Sequence, residues 1–221
     1  MGSLFSLASF GIVSDGASAE GEGSFGLPEP VRQGEVSIEE ALERRRSVRE
    51  YAPVPLSLAT LGQLAWAAQG VTDSDRGFRT APTAGATFPL EVDFLIQGVE
   101  ELDDGVYRYL PGRHALRRRI VGDQRDAVAA AASNQQSLRE APAILALSTV
   151  TARTAARYGE RAERYVHMEA GHVAQNVSLQ AVALDLGTVV IGAFDDDALA
   201  AALQLDDGER PLYLMTLGEP G

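Results

Sequence analysis

Cysteine is absent from the 221 residues, and so is lysine. The first absence removes any disulfide framework; the second makes all 19 cationic side chains arginines. No segment is long and apolar enough to span a bilayer, so no membrane partner is expected. There is also no glycine-rich phosphate loop of the Walker or G-x-G-x-x-G kind, and a phosphate bound by this chain must therefore be held by side chains. Positive charge is scarce. The formal net charge is -12, and an acidic surface repels nucleic-acid phosphates unless one local basic patch dominates. The one candidate patch is "ERRRSVREY", residues 43–51; it is short, and no nucleic-acid partner is expected.

The length suits one domain with one sizeable core. Residues 1–26 read as a flexible N-terminal extension and 27–221 as the folded domain. Within the extension, "SDGASAEGEGS" is too rich in glycine, serine and acid to order itself by burial. "LFSLASFGIV" followed by "ASA" has a faint likeness to an export signal. It is interrupted by serines and has no Lys or Arg ahead of it, so a cytoplasmic location is the expectation.

Helices and strands alternate along the rest of the chain. "SIEE" at 37–40 is a capping box that opens a helix running to the arginines. Ser57 and Gly70 bracket a second helix with Leu58, Leu61, Leu64, Ala65 and Ala68 on one face. "PLEVDFLIQG" alternates Leu90, Val92, Phe94 and Ile96 with polar or outward positions and is expected to pair with "GVYRYL" as a hairpin. A helix capped by Asp123 leads to the buried-strand run "PAILALSTV". The longest helical pattern, about 160–186, carries a stripe of Val166, Ala170, Val173, Ala174, Val177, Ala181 and Leu184, suited either to an internal core or to a subunit interface. "TVVIGAF", an acidic helix from "DDDALAAAL" and the strand "PLYLMTLG" follow.

At the end of the first helix, Arg44, Arg45, Arg46 and Arg49 face the negative end of the helix dipole, which accounts for one or two of them. It accounts less well for Ser47 among them, because a hydroxyl beside forked guanidinium donors is the makeup of a phosphate pocket. Elsewhere, His167 and His172 are five apart and so off one helical face, which argues against a metal site. The acids at 195–197 suit a first helical turn without any ion. Gln175 and Asn176 are either polar groups near a cofactor or ordinary packing amides, and Trp66 reads as core.

Four blocks, "ERRRSVREY", "RTAPTAGATFPLEVDFL", "YVHMEAGHVAQNVSLQAVALDLGTVVIGAF" and "PLYLMTLGEP", together resemble the nitroreductase-like flavoprotein superfamily, with most likeness to its SagB-type (thiazole/oxazole dehydrogenase-related) branch. The resemblance implies an α+β fold: a three-layer α-β-α sandwich with a mainly antiparallel central sheet, in an entwined homodimer that binds two FMN molecules between subunits. It further implies that Arg45, Arg46, Ser47 and Arg49 form the FMN-binding block. Arg45 and Ser47 would hold the phosphate or ribityl chain, and Arg49 would approach the pyrimidine edge, where a cation stabilises the reduced ring. Pro82, Thr83, Ala84 and Gly85 would reach the partner subunit's flavin, and Ile191, Gly192 and Ala193 would present backbone amides to flavin N5. The implied activity is hydride transfer from NADH or NADPH to a small organic acceptor, with no assigned acid–base side chain.

Two departures stand out. Many relatives carry a basic residue after the last strand's glycine, where this chain has Glu219. The azoline-oxidising members of the SagB-type branch use a Lys/Tyr pair, which a chain without lysine cannot supply. The first departure motivates an alternative, a flavin-binding or regulatory protein of the same fold without turnover.

Overall fold

The computed structural model describes residues 23–221. Most of the N-terminal extension therefore lies outside the described residues; Ser24–Gly26 already belong to the sheet as β1. The helices are α1 (Ile38–Arg44), α2 (Leu58–Gln69), α3 (Arg125–Ala131), α4 (Ser137–Glu140), α5 (Ala152–Tyr158), α6 (Ala162–Ala183) and α7 (Asp196–Ala202). A short hairpin, β2 (Val71–Asp73) with β3 (Phe78–Arg79), stands apart from the main sheet. The main sheet comprises β1, β4 (Leu90–Ile96), β5 (Gly105–Leu110), β6 (Ala115–Val121), β7 (Ala143–Thr149), β8 (Gly187–Ile191) and β9 (Arg210–Gly218), in the order β1-β6-β5-β4-β7-β9-β8. Every pairing in it is antiparallel.

Both faces of this sheet are covered. Leu90, Val92, Phe94 and Ile96 point with Tyr107, Leu145, Leu147, Met215 and Leu217 into one core, closed by α2 and α6. Leu95, Val106, Ile144, Ala146, Val189, Ile191 and Leu214 fill a second core under α3, α4 and α7. The intervening positions of β4 are therefore not outward, as the alternation suggested; Asp93 and Leu95 are as buried as their neighbours. The result is the expected α-β-α sandwich.

The α6 stripe resolves in favour of the internal core. Val166, Ala170, Val173, Ala174, Val177 and Ala181 are buried against the sheet, with Leu184 at the margin. Its small residues let a 22-residue helix lie close over β8 and β9. The opposite face, with His167, Met168, Gly171, His172 and Gln175, is exposed.

Capping follows the expected chemistry at three helices. Ser37, Ser57 and Asp195 each accept from the backbone N–H three residues on. At α3 it differs. Asp123 accepts from the Arg125 N–H in a local turn instead of capping, and the predicted single helix breaks after Ala131, where Ser133 and Asn134 take positive φ. Polar side chains in "SNQQ" favour turns over helix continuation there.

Beneath α3 and α7 lies a buried ionic cluster. Arg108 is bidentate to Asp93 at 2.7 Å on both contacts and also reaches Glu209 at 2.8 Å and Glu91 at 3.2 Å. Arg119 meets Asp93 at 3.0 Å, and the Ser148 hydroxyl donates to Glu209. Burial by itself would lower the Arg108 pKa; the hydrogen bond to Asp93 and the surrounding carboxylates hold it well above the ordinary arginine range.

Candidate functional site

The arginine block divides in two. α1 ends at Arg44, and Arg45 leaves the helix with an extended backbone (φ -54, ψ 124), so the cluster does not ride on the helix end as its spacing suggested. Arg44 is bound to Glu40 and Asp185, and Arg46 turns back to the carbonyls of Glu43 and Arg45, both at 2.7 Å. Those two complement the helix terminus. Arg45, Ser47 and Arg49 alternate along the extended segment that follows, and among the described residues their side chains have no hydrogen bond or ion pair. A period of two places such residues on one side of the chain. Two uncommitted guanidinium groups and a hydroxyl are thus presented together.

β8 holds this strip in place. Ser47 bridges Thr188 in parallel, the Val48 N–H donates to the Thr188 carbonyl at 3.0 Å, and Val48 packs over Gly187. Tyr51 anchors the far end: its buried hydroxyl donates to the Val48 carbonyl and meets Thr216. Burial pushes the Tyr51 pKa up to about 12 against the opposing influence of Thr216 and the nearby Arg49 charge. The tail after β9 continues the arrangement, with Ala52 N–H to the Glu219 carbonyl and Gly221 N–H to the Glu50 carbonyl. Glu219 thus contributes its backbone carbonyl to this corner.

Close packing at Gly187 makes a test. A Cβ there would stand 2.7 Å from two Val48 carbons, so Gly187→Ala is expected to displace the strip. Overpacking of this kind costs about 1–3 kcal/mol, and thermal unfolding should register it. Affinity for any ligand held by Arg45 and Arg49 should fall with it, whereas an alanine at exposed Gly171, which has nothing within 4 Å, leaves ligand affinity unchanged.

Residues 191–193 lie at the end of the same strand. Ile191 is buried and ends β8; Gly192 and Ala193 are exposed just beyond it. From Thr188 to Gly192 the strand rises about 13 Å, so the arginine strip and this pair mark opposite ends of one sheet edge.

Residues 82–85 stand elsewhere. Pairing of Leu90 with Thr149, Thr149 with Arg210 and Ile191 with Leu214 puts the start of β4 at the same sheet end as Gly192, but three strands away, about 14 Å. Within one chain, Thr83 and Gly85 do not converge with Arg45. Their loop is held by α5 and α6. Arg157 donates to the Gly85 carbonyl at 3.1 Å, Arg153 to the Phe88 carbonyl at 3.0 Å, Thr87 bonds Thr154, and Asn176 donates to the Thr80 carbonyl at 3.1 Å. Asn176 is therefore a loop-holding residue, while Gln175 is exposed. Gly85 needs its φ of 58, and an added Cβ would strike the Tyr158 hydroxyl at 2.5 Å.

Glu169 was not singled out by sequence. It is 2% exposed beneath this loop, near Thr83 and Ala84, and neither carboxylate oxygen meets a hydrogen-bond partner. Burial raises its pKa, against the Thr83 hydroxyl, the Ala84 amide and the Arg79 charge. Its signal was available, because position 169 falls among the apolar positions 166, 170 and 173.

Two adjoining cavities of about 340 and 390 Å³ lie between α1, α2 and α6, around Trp66, Val36 and Gln180. Of the residues weighed for a cofactor site, Asn176 lines the first, while the arginine strip, the 82–85 loop and residues 191–193 line neither. Trp66 is half-buried at their border, with its indole N–H buried and unpartnered, rather than simply core. Val31, Ile38 and Leu42, nearby, are large apolar side chains left 54–64% exposed.

The model of the Nitroreductase family matches residues 42–219. The chain belongs to the nitroreductase family. A nitroreductase homologue from Methanocaldococcus jannaschii is 46% identical over 184 residues, covering 83% of this chain and 91% of its own. Among solved structures, a nitroreductase-like protein of Ralstonia eutropha superposes with a TM-score of 0.81 at 30% identity, covering 93% of each chain. Another from Anabaena variabilis has a TM-score of 0.74 at 30% identity; it is matched by 83% of this chain, which spans 38% of its length. The nitroreductase match begins inside α1 and ends at Glu219, so it takes in the arginine strip, the 82–85 loop and the end of β8. No helix among the described residues is long and apolar enough to cross a membrane.

Proposed function

We propose that this nitroreductase-family chain is an FMN-dependent oxidoreductase that moves a hydride from NADH or NADPH to a small organic acceptor, with nitroaromatics or quinones as test acceptors. The observation that carries this reading is the division of the arginines: Arg44 and Arg46 are committed to the helix end, while Arg45, Ser47 and Arg49 point free from an extended strip. That donor set fits a phosphate and an electron-rich ring edge. Bound FMN supplies a ring that accepts a hydride at N5 and releases it to a second molecule. Arg45 and Ser47 would hold its phosphate or ribityl chain, Arg49 would stabilise negative charge on the reduced ring, and the backbone at Gly192 and Ala193 would orient it. With Glu219 in the tail position, phosphate binding leans on Arg45.

The active unit in this reading is a homodimer. The 82–85 loop leads into β4, whose start is about 14 Å across the sheet from β8, which suits a loop that completes the site of a second copy. The exposed Val31, Ile38 and Leu42 beside the α1–α2–α6 groove are apolar surface for such a copy to cover. Within the superfamily we favour the SagB-type branch on the "RTAPTAGATFPLE" block, without its azoline oxidation, since lysine is absent. A cytoplasmic site of action goes with a soluble nicotinamide donor.

Anaerobic addition of NADH or NADPH to FMN-loaded protein tests the reading. The visible flavin absorbance should bleach and return when a quinone is added. Bound flavin that neither donor reduces overturns the enzyme in favour of a binding or regulatory protein; protein that ignores added FMN overturns both.

A further inference from the structure

A second polar site lies at the start of β4, apart from the arginine strip. A cavity of about 50 Å³ is bounded by Gln69, Arg79, Phe88, Glu91, Tyr109 and Arg153, among others. That is room for a few waters or one small polar group. We propose that this cavity binds the carboxylate group of a small molecule, held between Arg79, the Gln69 amide and Arg153.

Arg79 is a partly buried cation without a counter-ion. Among the described residues no carboxylate comes within ion-pair distance of it; its one hydrogen bond runs from Nη1 to Gln69 Oε1 at 2.9 Å. Its guanidinium is stacked over the Phe88 ring at 4.1 Å, which fixes its plane and leaves its remaining edge donors free. Burial pulls its pKa below the ordinary arginine range by more than the more distant Glu91 and Glu169 restore. An uncompensated buried charge is among the more costly features a fold can keep, and an anion placed against it removes that cost.

Gln69 supplies the second observation. It is 1% exposed, and its Nε2 is buried with no hydrogen-bond partner. The amide cannot be reversed to relieve this, because its oxygen already accepts from Arg79. A buried, unpartnered donor thus lines the cavity next to an unpartnered cation. Arg153 adds a third donor and stands toward solvent; it gives one group to the Phe88 carbonyl and one to Glu91 at 2.6 Å.

The other polar groups around the cavity are already engaged. Glu91 is shared between Arg153 and Arg108 and is not free for Arg79. The Tyr109 hydroxyl pairs with His114 Nδ1 at 2.9 Å. Counting Arg79, Arg153 and Glu91, the lining carries one net positive charge. A planar monoanion matches that charge and the forked geometry of Arg79. A phosphate or sulfate dianion would leave surplus negative charge beside Glu91. The lining is made of this chain's own side chains, so the site can be tested on protein with or without added FMN.

Thermal unfolding in sodium formate or acetate, compared with sodium chloride and sodium sulfate at equal ionic strength, tests it. At about ten times the dissociation constant, a carboxylate should raise the midpoint by about 3 °C over chloride. The rise should vanish in Gln69→Leu and Arg79→Met. An equal rise with chloride, a sulfate rise that is lost in the same two variants, or a carboxylate rise retained in both variants overturns the proposal. Should either variant fail to fold, crystals of the unaltered protein grown in formate decide. Planar density bridging Gln69 Nε2 and Arg79 supports the site, and only water there at saturating formate overturns it.

Discussion

Replacing Arg45 and Arg49 together by alanine is expected to weaken FMN binding by about 100-fold to 10,000-fold, since each charge-assisted hydrogen bond contributes about 1.5–3 kcal/mol. The same change at Arg44 and Arg46 should alter FMN affinity by no more than about threefold, because exposed pairs and helix-end contacts of that kind contribute little. Both pairs remove the same charge from the same six-residue stretch, so the comparison separates local geometry from net charge. Flavin-fluorescence titration of the apoprotein measures it. Equal losses in the two double variants would mean that the cluster acts only as a diffuse positive field. No loss in Arg45→Ala/Arg49→Ala would place the phosphate elsewhere.

The largest expected loss of stability belongs to the buried ionic cluster. Arg108→Ala leaves Asp93 and Glu209 buried without their main cation, and breaking a buried pair on one side costs about 3–5 kcal/mol. For a chain of this size that corresponds to a fall of about 10 °C in the unfolding midpoint. Arg118 of β6, half-buried and paired with the exposed Asp103 in the loop before β5, is the control, and its alanine variant should unfold within about 2 °C of the parent. A small effect at Arg108 would show that water reaches the cluster and solvates the freed carboxylates.

Most of the architecture was legible because its signals are local. Caps at Ser37, Ser57 and Asp195 need only a side chain and an amide three residues away, and all three form. The period of Leu90, Val92, Phe94 and Ile96 marks a strand whatever it packs on, and the hairpin with β5 forms as expected. The same period could not reveal that the other face of β4 is buried too. Asp93 reads as a solvent position until Arg108, fifteen residues away, and Glu209, at the start of β9, close over it. The α3 helix failed for a related reason. Its alanines favour a helix as strongly as any stretch of the chain, but "SNQQ" supplies side chains that compete for the backbone, and the chain turns at Ser133 and Asn134.

At the candidate site, the residues were visible and their assignment was not. "ERRRSVREY" announces a cluster of cations, but only the folded chain distinguishes the arginines spent on the helix end from those left free. The difference depends on Asp185, more than a hundred residues away, and on β8 pulling Ser47 and Val48 into an extended strip. Glu169 and Gln69 were passed over because a single polar residue in an apolar stripe reads as tolerated exposure, whereas both are buried.

The amino-acid order alone determined most of the helices and strands and where guanidinium and hydroxyl donors cluster, because caps, two-residue alternation and guanidinium charge act over a few neighbours. Tertiary structure decided which of those side chains remain available and which buried polar groups lack partners. Availability is a balance between a group and everything packed around it, and most of what surrounds Arg45, Arg79 and Arg108 comes from distant parts of the chain.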